Sequence, residues 1–278
     1  MVQHEVRWQQ RFQHFHASVA NLREPVARGV DTLSQLEAEG TIQRFEIAFE
    51  LAWKTLKDYL AHEGLLSKPV TPRRVIKQAF AAQVIPNGQL WITMLADRNA
   101  LSHTYNAAQA TQAVRSISDR YFPALQALDH WFTTQRPSQP VAPRVDLHLV
   151  SAPSSPWPST GLTPSEWWLI LGVLDSDAAI EGAILFGSRA MGTACPSSDI
   201  DLALEGSLDR LHVAHIAAML DELPLPYLFD VVALATLDHH PLRDHIAQDG
   251  LRVYSAATAT TPRVTTLERV RQSSTLLG

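Results

Sequence analysis

Three aspartates in the C-terminal half of the chain have the spacing of a divalent-cation site. Asp199 and Asp201 alternate along a predicted strand, SSDIDLALEG, so their side chains leave the same face. Asp230 interrupts the next apolar segment, YLFDVVALATL, where an unpartnered charge is costly. Adjacent carboxylates repel each other unless a cation binds between them, and Mg²⁺ prefers such oxygen ligands. Alternatively, one acid ends a strand and another caps a helix.

A glycine and a serine lie just upstream of these acids. The segment AILFGSRA predicts a strand that ends at Phe186 and a helix that begins with Gly187 and Ser188. Glycine lets the backbone approach a ligand closely, and a helix N-terminus offers unpaired N–H groups to an anion. Arg189 adds a positive charge in the first turn, although a surface arginine would give the same pattern. We therefore predict that Gly187, Ser188 and Arg189 bind a phosphate group.

Together these residues resemble the DNA polymerase β-type nucleotidyltransferase superfamily, whose pattern is a Gly-Ser turn, an Asp-x-Asp pair and a later Asp. The resemblance covers about residues 163–254 and is closest to the minimal nucleotidyltransferase branch. Met191 stands where that branch usually carries a basic residue. The expected fold of this half is a polymerase β-like domain.

The resemblance also implies roles for the acids and for the turn. Asp199 and Asp201 would hold Mg²⁺ ions that bridge a triphosphate. Asp230 would complete a two-ion site and help to deprotonate the incoming hydroxyl. Gly187 and Ser188 would hold the triphosphate of the substrate ATP, and the products would be a nucleotidylated acceptor and pyrophosphate.

A second set of polar residues lies in the N-terminal half, in the segment DRNALSHTYN. Arg98 and His103 are five positions apart, and Tyr105 follows two positions later. Arginine can bind a phosphodiester, and histidine can transfer a proton near neutral pH. Residues five apart on a straight helix are not close neighbours, so the two side chains would meet in one groove across a two-fold dimer. Alternatively, the segment is a polar helix end in which Arg98 pairs with Asp97.

The helical sequence around this segment resembles the nucleotidyltransferase substrate-binding family of the HEPN (higher eukaryote and prokaryote nucleotide-binding) superfamily. The resemblance spans about residues 12–128, and Arg98, Asn99, His103 and Tyr105 match its motif position for position. It implies that Arg98 and His103 form a ribonuclease centre and that the helical domain forms a homodimer. It also implies that a minimal nucleotidyltransferase adenylylates the motif tyrosine, here Tyr105.

Because both resemblances fall on one chain, we expect a self-modifying module of the toxin–antitoxin type. The transferase half would move AMP from ATP to Tyr105, in cis through a linker or in trans within a dimer. A second hypothesis makes the chain a ribonuclease that cleaves RNA with Arg98 and His103 under control of the transferase half. A third makes the helical half a non-catalytic domain that presents another substrate.

Two differently built domains are needed to position these residues. Before the linker, apolar residues recur at spacings of three and four, which predicts an all-α bundle of four or five helices. A Pro/Ser-rich stretch then predicts an extended linker, in which only VDLHLV alternates like a strand. Strands alternate with helices beyond it, as in an α/β or α+β domain. The predicted order is bundle, linker, transferase domain and flexible tail, at residues 1–135, 136–163, 164–255 and 256–278.

Local signals predict where several of the helices begin and end. Gly64 is a C-terminal cap, and Thr71 with Pro72 begins the next helix. Thr163 caps the first helix of the C-terminal domain, and Gly250 ends its last helix.

Composition limits the class of protein. Residues 1–136 carry 15 lysines and arginines against 12 acidic residues, whereas residues 137–278 carry 8 against 16. This asymmetry favours two domains with different partners, or two that attract each other. One cysteine, Cys195, excludes an intramolecular disulfide framework and a multi-cysteine zinc site. No apolar run is long enough for a membrane span, so we expect a soluble, cytoplasmic protein.

Overall fold

The computed structural model describes residues 2–101, 107–134, 160–237 and 239–256. The chain divides into two compact units, Met1–Ala142 and Pro143–Gly278, and the division falls inside the predicted linker. The segment VDLHLV and the predicted tail from residue 257 onward lie outside the described residues. Within the described residues, no helix is both long enough and apolar enough to cross a membrane.

The first unit is a helical bundle, as its periodicity predicts. Phe45, Phe49 and Trp91 are each at most 1% exposed at its centre. The long second helix packs most extensively against the first and also contacts the third, fifth and sixth, so it is the central helix of the unit. The helices are α1 (Val2–Arg28), α2 (Gln35–His62), α3 (Pro72–Ala81), α4 (Gly88–Leu101), α5 (Ala107–Ser116) and α6 (Phe122–Thr134).

Helix α2 begins at Gln35. The reason is a capping box. The Ser34 side chain accepts a hydrogen bond from the backbone N–H of Glu37, and the Glu37 carboxylate accepts one of 2.8 Å from the Ser34 N–H. Two backbone donors that would otherwise lack partners are thereby satisfied, and the first turn forms although it is mostly polar.

The predicted helix ends are confirmed. Gly64 follows α2 with a left-handed φ of 72°, and the Thr71 side chain accepts a hydrogen bond from the first turn of α3. In the second unit, Thr163 begins a helix with another capping box, and Gly250 directly follows the last helix.

A π-helical turn, Ile117–Tyr121, separates α5 from α6. Such turns recur at functional sites because they rotate a side chain out of the α-helical register. Here Tyr121 is 1% exposed, and its ring stacks on Phe45 with centroids 5.5 Å apart. Its hydroxyl donates a hydrogen bond to the Asp97 carboxylate on α4. Burial, followed by the contact with Asp97, raises the pKa of Tyr121 well above its usual range, so the phenol is a neutral donor.

Replacing Tyr121 with phenylalanine should destabilise the first unit by about 1.5–3 kcal/mol, because the Asp97 carboxylate loses its donor while the ring packing is kept. Urea denaturation of the two proteins measures this difference. Tyr59→Phe is the matched control, since it also keeps an aromatic ring within the bundle, and it should change stability by less than about 0.5 kcal/mol. Equal effects of the two substitutions would show that the Asp97 contact contributes nothing.

The second unit is built on a mixed four-stranded sheet. Strand β1 is antiparallel to β2 and β4, β2 is parallel to β3, and the order across the sheet is β3-β2-β1-β4. No strand was predicted for β4, a five-residue segment that directly follows a helix. The elements are α7 (Pro164–Asp175), β1 (Ile180–Phe186), α8 (Gly187–Met191), β2 (Ile200–Gly206), α9 (Arg210–Glu222), β3 (Phe229–Ala233), α10 (His240–Asp249) and β4 (Leu251–Ser255).

Helix α10 covers one face of this sheet. Ile246 of α10 packs with Ile184 and Phe186 of β1 and with Ala203 of β2. Because alternate residues of a strand share a face, Asp201 lies on the same side of the sheet as Ala203. The first acid of β2 is therefore at the edge of a small apolar core.

The second unit begins before the predicted domain boundary. Thr160 is 1% exposed, and its hydroxyl accepts a hydrogen bond of 3.3 Å from the indole N–H of Trp167 on α7. Its carbonyl accepts another, of 2.9 Å, from Arg189. Residues 160–163 are therefore anchored in this unit and do not form part of an extended linker.

Candidate functional site

Asp201 and Asp230 are direct neighbours across two strands. In the parallel pairing of β2 with β3, Asp201 is the register partner of Asp230, so both side chains leave the same face of the sheet. Asp201 is half-buried, and Asp230 is exposed near the start of β3. The predicted proximity of these two acids is confirmed.

Asp199 lies one residue before β2 rather than within it. It is exposed, and it is separated from Asp201 by the fully buried Ile200. Its backbone is outside the paired residues of the sheet, whose register on this side begins at Ile200 with Phe229. The sheet thus fixes the backbone of Asp201 and Asp230 but not that of Asp199.

The electrostatics of the cluster favour a bound cation. Partial burial raises the pKa of Asp201 to about 6, and the negative charges of Asp230 and Asp199 add to this effect, while Arg189 opposes it. The pKa of Asp199 is also raised, chiefly by desolvation, and Arg189 again opposes the shift. Both shifts mean that the ionised carboxylates are less stable here than in water. A divalent cation would reverse this cost.

The residues fit Mg²⁺ as an open set of ligands. Among the described residues, no three histidine, cysteine or acidic side chains converge closely enough to form a ready cation cage. The predicted convergence of three acids is therefore looser than a closed metal site, as expected for like charges that repel each other. Mg²⁺ suits such a set, because it commonly takes one or two protein carboxylates and completes its shell with water and substrate phosphates.

Gly187 is required by its contact with Asp201. Its φ is 70°, in the left-handed region that favours glycine. A Cβ atom at this position would collide with Oδ2 of Asp201 and would lie 3.0 Å from its Cγ. The Gly-Ser turn and the acid cluster are thus in direct contact, as the sequence predicts for a phosphate site beside a metal site.

Ser188 follows in α8, which is only five residues long. Its side chain is half-buried, and its carbonyl accepts a hydrogen bond of 3.0 Å from the backbone N–H of Thr193. Gly192 then ends the helix with a φ of 73°. Ser188 therefore directly follows the glycine that contacts Asp201, and phosphate binding by Gly187 and Ser188 stays a prediction that the geometry allows.

Arg189 does not fit the predicted phosphate-binding role. The residue is 1% exposed, and its guanidinium donates hydrogen bonds to backbone carbonyls inside the second unit. The guanidinium carbon also lies 4.6 Å from the ring centroid of Tyr227. Arginine has five N–H donors and no acceptor, so a guanidinium engaged in this way is not available to a solvent-exposed nucleotide.

In the first unit, Arg98 and Asn99 lie in the last turn of α4. Nη2 of Arg98 is 3.6 Å from Oε2 of Glu50, and Nη1 donates a hydrogen bond of 3.3 Å to the Asn99 side chain. The Asp97 carboxylate accepts a hydrogen bond from Tyr121, and Arg98 forms an ion pair with Glu50. The predicted partners of Arg98, at positions 103 and 105, lie outside the described residues. Cleavage of RNA by this motif stays a prediction.

Two family models match the chain, one in each unit. Residues 10–133 match the family described as nucleotidyltransferase substrate binding protein like. Residues 170–259 match the family described as polymerase beta, nucleotidyltransferase. The chain fuses a substrate-binding-like helical domain to a polymerase β-type nucleotidyltransferase domain. A comparison with curated proteins gives no match.

The matches extend the interpretation of the geometry. The transferase domain contains Gly187, Ser188 and the three aspartates, and the helical domain contains Arg98. The match of residues 170–259 to a nucleotidyltransferase family supports nucleotidyl transfer as the general chemistry of this domain. Nucleotide preference, acceptor and oligomeric state are finer properties that the two family descriptions do not state.

Sequence reasoning missed two residues that contact the predicted site residues. Glu50 faces Arg98 from α2, and its carboxylate also accepts from the side chains of Trp53 and Lys54. Tyr227 packs against Arg189 from the segment before β3. No sequence signal distinguishes either residue, because each contact joins elements that are distant along the chain.

Proposed function

We propose that the transferase domain moves AMP from ATP to a protein hydroxyl and that the acceptor is Tyr105, in cis or in trans within a homodimer. The observation that carries this proposal is the register pairing of Asp201 with Asp230 directly beside Gly187. The Asp201 carboxylate lies against a residue without a side chain, and Asp230 is on the same face of the sheet, so a triphosphate can approach both backbone and acids.

The described residues have distinct roles in this transfer. Asp199, Asp201 and Asp230 would hold Mg²⁺, which supplies neutralisation of the charge that develops on the phosphates. Gly187 and Ser188 bind the triphosphate through backbone N–H groups and the hydroxyl. The acceptor oxygen forms a bond to the α-phosphorus as the bond to pyrophosphate breaks, and the exposed Asp230 accepts the hydroxyl proton.

A tyrosine acceptor needs this help from an acid. A phenol has an ordinary pKa near 10 and is mostly protonated at neutral pH, so its proton must be removed as the new bond forms. The match of Tyr105 to the motif tyrosine of the helical family supports its choice. The excess of acidic residues after residue 136 and of basic residues before it also favours an encounter between the two domains.

Tyr105→Phe should abolish self-labelling by ATP labelled at the α-phosphate in the presence of Mg²⁺, because phenylalanine has no hydroxyl to accept the nucleotide. Gel autoradiography of the full chain measures the label. Tyr59→Phe, a second tyrosine substitution in the helical domain, should keep wild-type labelling. Undiminished label in the Tyr105 variant would assign the acceptor to another residue, and an unlabelled wild type would refute self-modification.

A further inference from the structure

The buried Arg189 joins the turn that carries Ser188 to the loop that carries Asp199. Its Nε donates hydrogen bonds of 3.1 Å to the carbonyls of both Ser198 and Asp199. Its Nη2 donates a shorter one, of 2.6 Å, to Ser198 and a longer one, of 3.5 Å, to Pro196. One guanidinium therefore binds three carbonyls of the four-residue segment that leads into β2.

Further contacts hold the guanidinium itself in place. Nη1 donates to the Thr160 carbonyl at 2.9 Å, and one face of the group packs on the Tyr227 ring. The Tyr227 hydroxyl in turn donates a hydrogen bond of 2.8 Å to Glu166, whose other carboxylate oxygen forms the capping box of α7. The arginine is thus fixed against three separate segments of the transferase domain, and a buried, multiply bonded guanidinium is a rigid connector.

Asp199 depends on this connector more than the other acids do. The backbones of Asp201 and Asp230 are held by the ladder between β2 and β3, whereas Asp199 precedes the paired residues. The Asp199 carbonyl and the carbonyl before it are both bound by Arg189. Fixing these two carbonyls fixes the peptide planes on which the direction of the Asp199 side chain depends.

We propose that Arg189 is a positioning residue, which orients Asp199 for cation binding by locking the backbone of residues 196–199 to helix α8. This inference rests on the proposed function, because it assigns Asp199 to the Mg²⁺ site. It replaces direct contact with phosphate as the role of this arginine. The Gly-Ser turn and Asp199 then keep a fixed separation because the same short helix carries the turn and the residue that anchors the acid.

Arg189→Lys tests this role in the full chain, since lysine keeps the charge but cannot bind several carbonyls in the plane of a guanidinium. Without added metal, hydrogen exchange of the amides of residues 198–200 should be faster than in the wild type, and exchange in β4 should be unchanged. The increase in melting temperature on adding Mg²⁺ should be smaller. Arg210→Lys, at an exposed position on α9, is the matched control and should leave both measurements at wild-type values.

Two further variants keep the test decisive. In an Asp199→Asn background, Arg189→Lys should cause no further loss of the Mg²⁺-dependent increase, because the arginine acts through Asp199. Tyr227→Phe keeps the ring but removes its anchor on Glu166, so it should change exchange in the same direction by a smaller amount, and it serves if Arg189→Lys does not fold. With ATP, the half-saturating Mg²⁺ concentration of Arg189→Lys should rise by about tenfold, and the KM for ATP at saturating Mg²⁺ by less than about twofold.

Wild-type exchange at residues 198–200 in Arg189→Lys and Tyr227→Phe would overturn the positioning role. So would a raised KM for ATP with an unchanged Mg²⁺ requirement, which would indicate direct contact with phosphate. If the wild-type chain transfers no nucleotide, the proposed function fails, whereas hydrogen exchange and the Mg²⁺-dependent melting temperature still decide the role of Arg189.

Discussion

Asp201→Asn is expected to abolish nucleotidyl transfer while raising the melting temperature of the metal-free protein at neutral pH. Loss of a central cation ligand removes several kcal/mol of transition-state stabilisation, which corresponds to about a thousandfold or more in rate. The stability of the metal-free protein should increase, because asparagine is uncharged and is not repelled by Asp230 and Asp199. Together with burial, this repulsion raises the pKa of the Asp201 carboxyl to about 6.

The pH dependence of this stabilisation has a definite sign. The folded-state pKa of Asp201, about 6, is above its ordinary value of 3.8, so the folded protein binds this proton more tightly than the unfolded chain. The metal-free wild type therefore loses stability as pH rises from about 4 through about 6, whereas Asp201→Asn lacks this contribution. The difference in melting temperature should be small near pH 4, grow through pH 6 and then level off.

Calorimetry across this pH range, with and without Mg²⁺, measures the effect. Mg²⁺ should stabilise the wild type at pH 7 and reduce the difference in melting temperature between the wild type and Asp201→Asn. Asp244→Asn, at an exposed position on α10, is the control for the loss of one negative charge and should keep the wild-type pH profile. An Asp201→Asn variant that keeps either full transfer activity or the wild-type pH profile would contradict the assigned site.

Gly187→Ala should lower the rate of transfer by about a hundredfold, the effect expected when a reacting group is displaced by about an ångström. The new Cβ atom would collide with the Asp201 carboxylate, so either the acid or the Gly-Ser turn must move. Initial rates of nucleotide transfer at saturating Mg²⁺ measure the loss.

Gly192→Ala is a closely matched control. Its φ of 73° is nearly the same as that of Gly187, it lies at the other end of α8, and its added Cβ atom would have no neighbour within 4 Å. Both substitutions should cost about 1 kcal/mol of stability for placing a side chain in the left-handed region, and Gly187→Ala should cost more because of its contact with Asp201. Only Gly187→Ala should lose activity. If both variants lose activity equally, backbone strain and not the contact with Asp201 is responsible.

The acid cluster could be predicted from the sequence because its signals are local. Asp199 and Asp201 are two positions apart, and apolar alternation identifies β2 and β3 as strands. Only the structure shows that the two strands are parallel neighbours with Asp201 in register with Asp230, because register depends on how segments distant in sequence pack.

The direction of the Arg189 side chain could not be predicted from the sequence for the same physical reason. The local sequence of an arginine after a Gly-Ser turn is the same whether its side chain points to solvent or into the protein. Its direction is decided by Thr160, Tyr227 and the carbonyls before β2, which come from three separate segments. The π turn at Tyr121 is similar, since the apolar spacing of residues 107–132 is compatible with an uninterrupted α-helix.

We propose that Asp201 and its neighbouring acids transfer AMP to Tyr105 of this chain. The intact mass of the full-length protein, measured after incubation with ATP and Mg²⁺ and followed by peptide mapping, tests it most directly. The account predicts a gain of one adenylyl group, located on Tyr105 and absent from Asp201→Asn. An unchanged wild-type mass, or an equal gain in Asp201→Asn, would contradict it.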